Sequence, residues 1–196
     1  CDLEDCKWRE QMIEEVLGIS QTLDVLINNA AFVGTSSLEG WCEPFENQSV
    51  DTWRRALEVN LTSAFHLCRD FAPALGRSVG GSIINISSIY GEYGPDWSLY
   101  ADTNMANAAA YGASKAGLVQ FTRWLATSLG PHIRANVISP GGISRGQSGS
   151  FVKRYERRTP LARMASEDDF RGATAYLASD MSKYVTGQVV RVDGGW

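Results

Sequence analysis

The chain has 196 residues, 44% of them hydrophobic and 20% charged, with a formal net charge of -4. That length suits one domain spanning 1–196 with a substantial core, and the acidic balance argues against nucleic acid as a partner, which would favour a basic face. No run approaches the roughly 18 uninterrupted apolar residues that cross a bilayer, and the charged opening Cys1 to Gln11 is unlike a signal peptide. Cys1, Cys6, Cys42 and Cys68 form no CxxC pair, and His66 and His132 are the only histidines. No metal site is therefore expected, and a reduced, cytoplasmic protein is the default reading.

Taken in chain order, Trp8, Met12, Ile13, Val16 and Leu17 mark a first helical stripe. Asp24 to Ile27 reads as a short buried strand running into the turn Asn28-Asn29-Ala30-Ala31. Val50 to about Gly76 reads as one long helix, and Ser82 to Ile86 as a second buried strand launched by Gly80-Gly81. Residues 88–109 are polar and irregular. A helix over Tyr111 to Leu129 is stopped by Gly130-Pro131, and a third strand over Arg134 to Ile138 ends in Pro140-Gly141-Gly142. Arg145 to Arg163 is expected to be a basic, mobile excursion. Ser166 caps a last helix running to about Ala178, and Gln188 to Val192 forms a fourth strand. This alternation predicts a doubly wound, Rossmann-like α/β fold: a parallel sheet with helices on both faces and ligands at the strands' carboxyl edge.

The residues with chemical potential all follow strands or face them. Tyr111 and Lys115 stand four apart on a helix and share one flank. A neighbouring ammonium is expected to lower a phenol's pKa towards the range useful for proton transfer. Alone, such a pair is no more than a surface Tyr/Lys couple. Ser87-Ser88 closes the second strand, where a hydroxyl either polarises a carbonyl or satisfies a turn. Asn60, inside the long helix, is either an exposed amide or a buried one needing partners.

Together, Asn28-Asn29-Ala30-Ala31, Asn60, Ile86-Ser87-Ser88, Tyr111-x-x-x-Lys115, Pro140-Gly141-Gly142-Ile143 and Val192-Asp193-Gly194-Gly195 occur in order, with Tyr184-Val-Thr-Gly-Gln188 before the last. This set resembles the successive signatures of the short-chain dehydrogenase/reductase family over essentially the whole chain. The resemblance implies an alcohol/carbonyl oxidoreductase using NAD or NADP on a small-molecule substrate. It makes Tyr111 the acid/base, Ser88 the carbonyl-polarising hydroxyl, Lys115 the ribose-binding cation, and Asn60 the holder of a water in the proton relay. It places Asn28, Asn29 and Ala30 on the adenosine side of the cofactor and Asp2, with Leu3, near the adenine. Pro140, Gly141, Gly142 and Ile143 fall on the nicotinamide side.

The chain departs from that pattern in two ways. The glycine-rich turn that receives the pyrophosphate is not found, so about fifty residues, two strand-helix units, are expected to be missing upstream, and the strand at 24–27 to become an unpaired apolar edge. As written, the chain is expected to bind cofactor poorly. Ser88 also precedes Tyr111 by 23 residues, implying an insertion of about ten, while Ser98 happens to stand at the family's usual spacing. Ser88 is preferred because a strand fixes it. The insertion resembles members linked to bacterial sugar and sugar-acid modification, and Asp96, Tyr100, Asp102 and Asn104 read either as donors and acceptors over the substrate mouth or as a solvated loop. The basic run Arg145, Lys153, Arg154, Arg157, Arg158 reads as a closing element or as a solvated helix face. Trp53, Leu67, Val119 and Trp124 suggest a second, intermolecular helix face and a homodimer or homotetramer. Two rivals remain at this point: a sugar-nucleotide epimerase or dehydratase, which also uses Tyr-x-x-x-Lys, and a non-catalytic binding subunit.

Overall fold

The computed structural model describes residues 1–33 and 38–196. Four strands, β1 (Val25–Asn28), β2 (Gly81–Ile86), β3 (Ile133–Pro140) and β4 (Val189–Val192), pair in that order, each pairing parallel. Parallel neighbours need crossovers, and helices supply them. Helix α1 (Cys6–Ile19) precedes β1, while α2 (Val50–Leu57) and α3 (Ser63–Gly76) cross from β1 to β2, α4 (Ala109–Leu129) from β2 to β3, and α5 (Gly149–Arg158) and α6 (Arg171–Ala178) from β3 to β4.

Successive strand residues point to opposite faces, so adjacent Ile83 and Ile84, both fully buried, demand cover on both sides. Ile83 packs with Phe71, Leu75, Leu125 and Ala135, which puts α3 and α4 on one face. Ile84 packs with Ile138 and Leu177, which puts α6 on the other. The doubly wound architecture follows. Among the described residues no further strand pairs with the outer edge of β1.

The register brings Asn28 opposite Asn85, Ile86 opposite Ile138, and Pro140 opposite Val192. The strands' carboxyl ends therefore share one rim, from which the loops at 29–31, 87–88 and 141–143 all emerge.

Three expectations are corrected. The long helix is not uniform: between α2 and α3, Glu58–Thr62 forms a π-turn, whose wider winding is common at functional sites. It carries Asn60, only 2% exposed. The basic excursion is not a mobile loop, because α5 buries Phe151 and Tyr155, one turn apart, against Leu99 and Met164. Finally, Leu67 and Val119 do not face outward. Both are buried, Leu67 against Ile13 of α1, whereas Trp53 and Trp124 stand 38% and 60% exposed.

Candidate active site

Helix α4 begins two residues before Tyr111, so Tyr111 and Lys115 lie in its first two turns, at the rim of the sheet. Lys115 is 2% exposed, and its Nζ donates to the Ile86 carbonyl at 2.8 Å. That bond ties α4 to the carboxyl end of β2 and sets Nζ 5.9 Å from the centre of the Tyr111 ring. Ser88 leaves β2 extended, and its Oγ accepts from the Tyr90 amide at 3.2 Å, capping the tight turn Ile89–Gly91. Ser88, Tyr111 and Lys115 line one cavity of about 620 Å³, together with Asn29, Ala30, Pro140, Gly141, Gly142 and Ile143. That volume suits a small substrate beside part of a cofactor.

The electrostatics differ from the sequence expectation. Burial pushes the Tyr111 phenol up, with the Ser88 hydroxyl acting in the opposite direction. Burial brings the Lys115 ammonium down to about 8. The lowering of Tyr111 by Lys115 is thus not observed, because loss of hydration outweighs the rest. Helical spacing shows that two groups share a flank and says nothing of how deep they lie. At neutral pH the site presents a protonated phenol beside a buried ammonium. An ammonium has three N–H donors, and Lys115 uses one on Ile86.

Glycine at 141 and 142 has a steric reason. A Cβ on Gly141 would come 2.8 Å from Asp193 Cα, and one on Gly142 would come 2.8 Å from the Tyr155 ring. The Gly142 amide donates to Tyr155 Oη at 2.5 Å. Tyr155, which sequence reasoning missed, therefore holds this loop from α5. The Phe151/Tyr155 spacing within a basic stretch was the available signal.

The remaining sequence candidates divide. Leu3, Asn28, Asn29, Ala30 and Asn60 border a separate recess of about 60 Å³. The Asn28 amide turns inward, to Asn85 Oδ1 at 2.7 Å and Cys68 Sγ at 3.3 Å. Asp2 is exposed, caps its own turn by accepting from the Glu4 amide, and borders neither space. Ser98 is exposed and donates to Asp96 at 2.7 Å, outside the cavity. Of the four insertion residues expected at the substrate mouth, Tyr100 alone lines the cavity. Asp96 and Asp102 instead pair with Arg158 and Arg154 of α5, and Asn104 is exposed and does not line the cavity. Those pairs are why the arginines do not close over the cavity. Arg145 does line it, paired with Glu167 at 3.1 Å. Cys6, Glu10 and His66 bring ligand atoms within 4.8 Å of one another, but His66 Nδ1 accepts from Arg9 and Nε2 pairs with Asp70, leaving the ring no lone pair for a metal.

The Asn60 side chain makes three hydrogen bonds. Its Oδ1 accepts from the Phe32 amide at 2.6 Å, and its Nδ2 donates to the Phe32 carbonyl at 3.1 Å and to Ser114 Oγ at 3.0 Å. Ser114 in turn donates to the Tyr111 carbonyl at 2.8 Å. The amide thus pins the loop after β1 to the turn that carries Tyr111. Asn60→Leu strands both Phe32 backbone groups, at about 1–3 kcal/mol each. We expect the thermal midpoint to fall by roughly 4–24 °C, read by circular dichroism; an unchanged midpoint contradicts the pinning role.

All 196 residues match the family described as Enoyl-(Acyl carrier protein) reductase. A trans-4-hydroxycyclohexanecarboxylate dehydrogenase of Sinomonas cyclohexanicum is 38% identical over 89% of this chain and 60% of its own length. The chain belongs to the short-chain dehydrogenase/reductase family. Two solved structures superpose closely. A short chain dehydrogenase from Leptospira borgpetersenii with bound NAD+ gives a TM-score of 0.87 at 33% identity, covering 100% of this chain and 73% of the other. A gluconate 5-dehydrogenase from Burkholderia cenocepacia with NADP and tartrate gives 0.84 at 26% identity, covering 100% and 72%. The chain thus spans 60% of the length of the first relative and somewhat under three quarters of the two structures.

As a short-chain dehydrogenase/reductase, the chain offers a fitting half-site for a nicotinamide nucleotide. The Lys115 ammonium has donors not used on Ile86, and Gly141 and Gly142 line the same cavity without side chains. No GxGxxG turn occurs in the sequence, so the diphosphate end has no such partner within these residues.

Proposed function

We propose that the protein interconverts an alcohol and a carbonyl with NAD or NADP, on a small, hydroxylated, sugar-like substrate. The observation that carries this reading is the convergence of Ser88, Tyr111 and Lys115 on one cavity. When bound, the nicotinamide supplies or accepts the hydride. In the reductive direction Ser88 Oγ donates to the carbonyl oxygen and draws off its developing charge. Tyr111 Oη then passes its proton to that oxygen as the alcohol forms. Lys115 Nζ holds the ribose hydroxyls with the donors it does not use on Ile86. In the oxidative direction the phenolate takes the alcohol proton back. Asn60 positions the Tyr111 turn. Asn29, Ala30 and the recess bordered by Leu3 and Asn28 serve the adenosine side, and Pro140 to Ile143 serve the nicotinamide side.

The named relatives support the substrate class: one is a dehydrogenase of a hydroxycyclohexane acid, and one solved neighbour is a gluconate 5-dehydrogenase holding NADP and tartrate. Trp53, Phe65 and Trp124, exposed by 38%, 46% and 60% along α2, α3 and α4, support self-association as a dimer or tetramer. Four free cysteines suit a reducing compartment such as the cytoplasm. No described helix is long and apolar enough to cross a membrane.

Ketone-dependent oxidation of NADH or NADPH by the chain tests the reading, and the two serines sharpen it. Ser88→Ala is expected to lower kcat about 10²–10³-fold, the loss typical of one donor to a developing oxyanion. Ser98→Ala is expected to leave it unchanged, since that hydroxyl serves Asp96 outside the cavity. The reverse ranking contradicts the assignment.

A further inference from the structure

Two phenols that the proposed chemistry does not use meet inside the same cavity. Tyr90 follows Ser88 on the turn after β2, and Tyr100 comes from the inserted segment. Their hydroxyls lie 2.6 Å apart, and Asn107 Nδ2 donates to Tyr100 Oη at 3.5 Å. All three residues line the cavity beside Tyr111. Each phenol carries one proton and can accept as well. Whichever hydroxyl donates to the other, the second proton has no protein partner among the described bonds. Burial and the neighbouring Tyr100 push the Tyr90 phenol up, so that hydroxyl keeps its proton.

The pair is held by a built wall. Tyr100 is flanked by the rings of Trp97 and Phe151, at 5.7 and 5.4 Å between centres. Arg154 donates to the Leu99 carbonyl at 3.4 Å and pairs with Asp102 at 3.1 Å, while Arg158 pairs with Asp96. Arg191 grips Glu92 at the segment's other end. The same α5 holds Gly142 through Tyr155, so the inserted wall and the nicotinamide-side loop share one support. Among the described residues lining the cavity there is no Asp or Glu. A pair of phenols with a spare proton and spare acceptors, and no carboxylate among the described residues lining the cavity, matches an uncharged hydroxyl better than an ammonium.

We propose that Tyr90, Tyr100 and Asn107 form a subsite that reads a second hydroxyl on the substrate and so selects hydroxylated ketones over plain ones. This rests on the alcohol/carbonyl reading of the site. A site built to hydrogen-bond a hydroxyl rejects the analogue lacking it, because its own polar groups are then left unpaired.

The test compares erythrulose with butan-2-one, which share a four-carbon ketone and differ in hydroxyls, in the parent chain and in the Tyr90→Phe/Tyr100→Phe variant. Phenylalanine keeps both rings, and a circular dichroism melt checks the fold. The ratio of kcat/KM values, erythrulose over butan-2-one, is expected to fall about tenfold or more in the variant. Saturation-transfer NMR with erythritol gives a readout independent of turnover, and its signal is expected to disappear with the two hydroxyls. An unchanged ratio, erythritol binding that survives in the variant, or no erythritol binding by the parent each overturns the subsite. Tyrosine-dependent erythritol binding without reduction of either ketone sustains the subsite and removes the proposed reaction instead.

Discussion

Tyr111→Phe is expected to lower kcat/KM for ketone reduction by about 10²–10⁴-fold, the range for loss of a positioned general acid, or roughly 3–5 kcal/mol of transition-state stabilisation. The substitution deletes one oxygen and keeps the ring. That ring packs against Trp41, Ala56, Ala108 and Ala110, so the hydrophobic contacts survive. The thermal midpoint should therefore stay nearly constant while turnover collapses, a split that separates chemistry from stability. Burial holds the phenol protonated at neutral pH, which suits delivery of a proton in the reductive direction. The oxidative direction needs the phenolate, so its rate should rise with pH towards and beyond the ordinary phenol value. Retention of more than a tenth of the parent activity in steady-state assays argues against Tyr111 as the acid.

Lys115→Met is expected to do two opposite things: abolish turnover and stabilise the cofactor-free chain. Burial lowers the lysine from 10.5 to about 8, and no other cause contributes. At about 1.4 kcal/mol per pH unit, the difference amounts to roughly 3 kcal/mol of destabilisation at neutral pH. Its sign follows from proton uptake. Below pH 8 both folded and unfolded chains hold the proton, and the penalty is complete. Between about 8 and 10.5 the unfolded chain binds more protons, so the parent gains stability as pH rises. Methionine matches the length of the lysine stem but loses the bond to the Ile86 carbonyl, worth about 1 kcal/mol. A net gain near 2 kcal/mol raises the midpoint by roughly 4–8 °C at neutral pH. The advantage should shrink through pH 8 to 10.5. A variant less stable than its parent at pH 7, or an advantage that grows with pH, contradicts the buried-charge argument. Such a cost is expected of a group kept for binding and chemistry at the expense of the fold.

Much of this arrangement was legible because strands announce their own carboxyl ends. Ile83 and Ile84 place apolar side chains on both faces, as a doubly covered parallel strand needs, and the hydroxyls after Ile86 fall at the strands' carboxyl rim. The ordered motifs then located Ser88, Tyr111, Lys115 and the Gly141-Gly142 loop around one cavity. What stayed hidden were features set by depth and by distant partners. Nothing in Glu58–Thr62 signals a π-turn, since its side chains suit an ordinary helix. The stretch that becomes α5 is strongly charged, and its two aromatic anchors meet Leu99, which is remote in sequence. Asp96 and Asp102 read as substrate-facing, yet arginines on α5 capture them. Leu67 appeared to be surplus apolar surface because α1 covers it only after folding.

Deuterium transfer tests the account most directly. When the chain reduces a ketone with nicotinamide deuterated at C4 on the transferring face, mass spectrometry of the alcohol is expected to show one deuteron at the carbinol carbon. Label in the product from the parent chain, and none from the Tyr111→Phe chain in the same interval, supports direct hydride delivery assisted by this phenol. Alcohol formed without label, or formed equally by both chains, contradicts it.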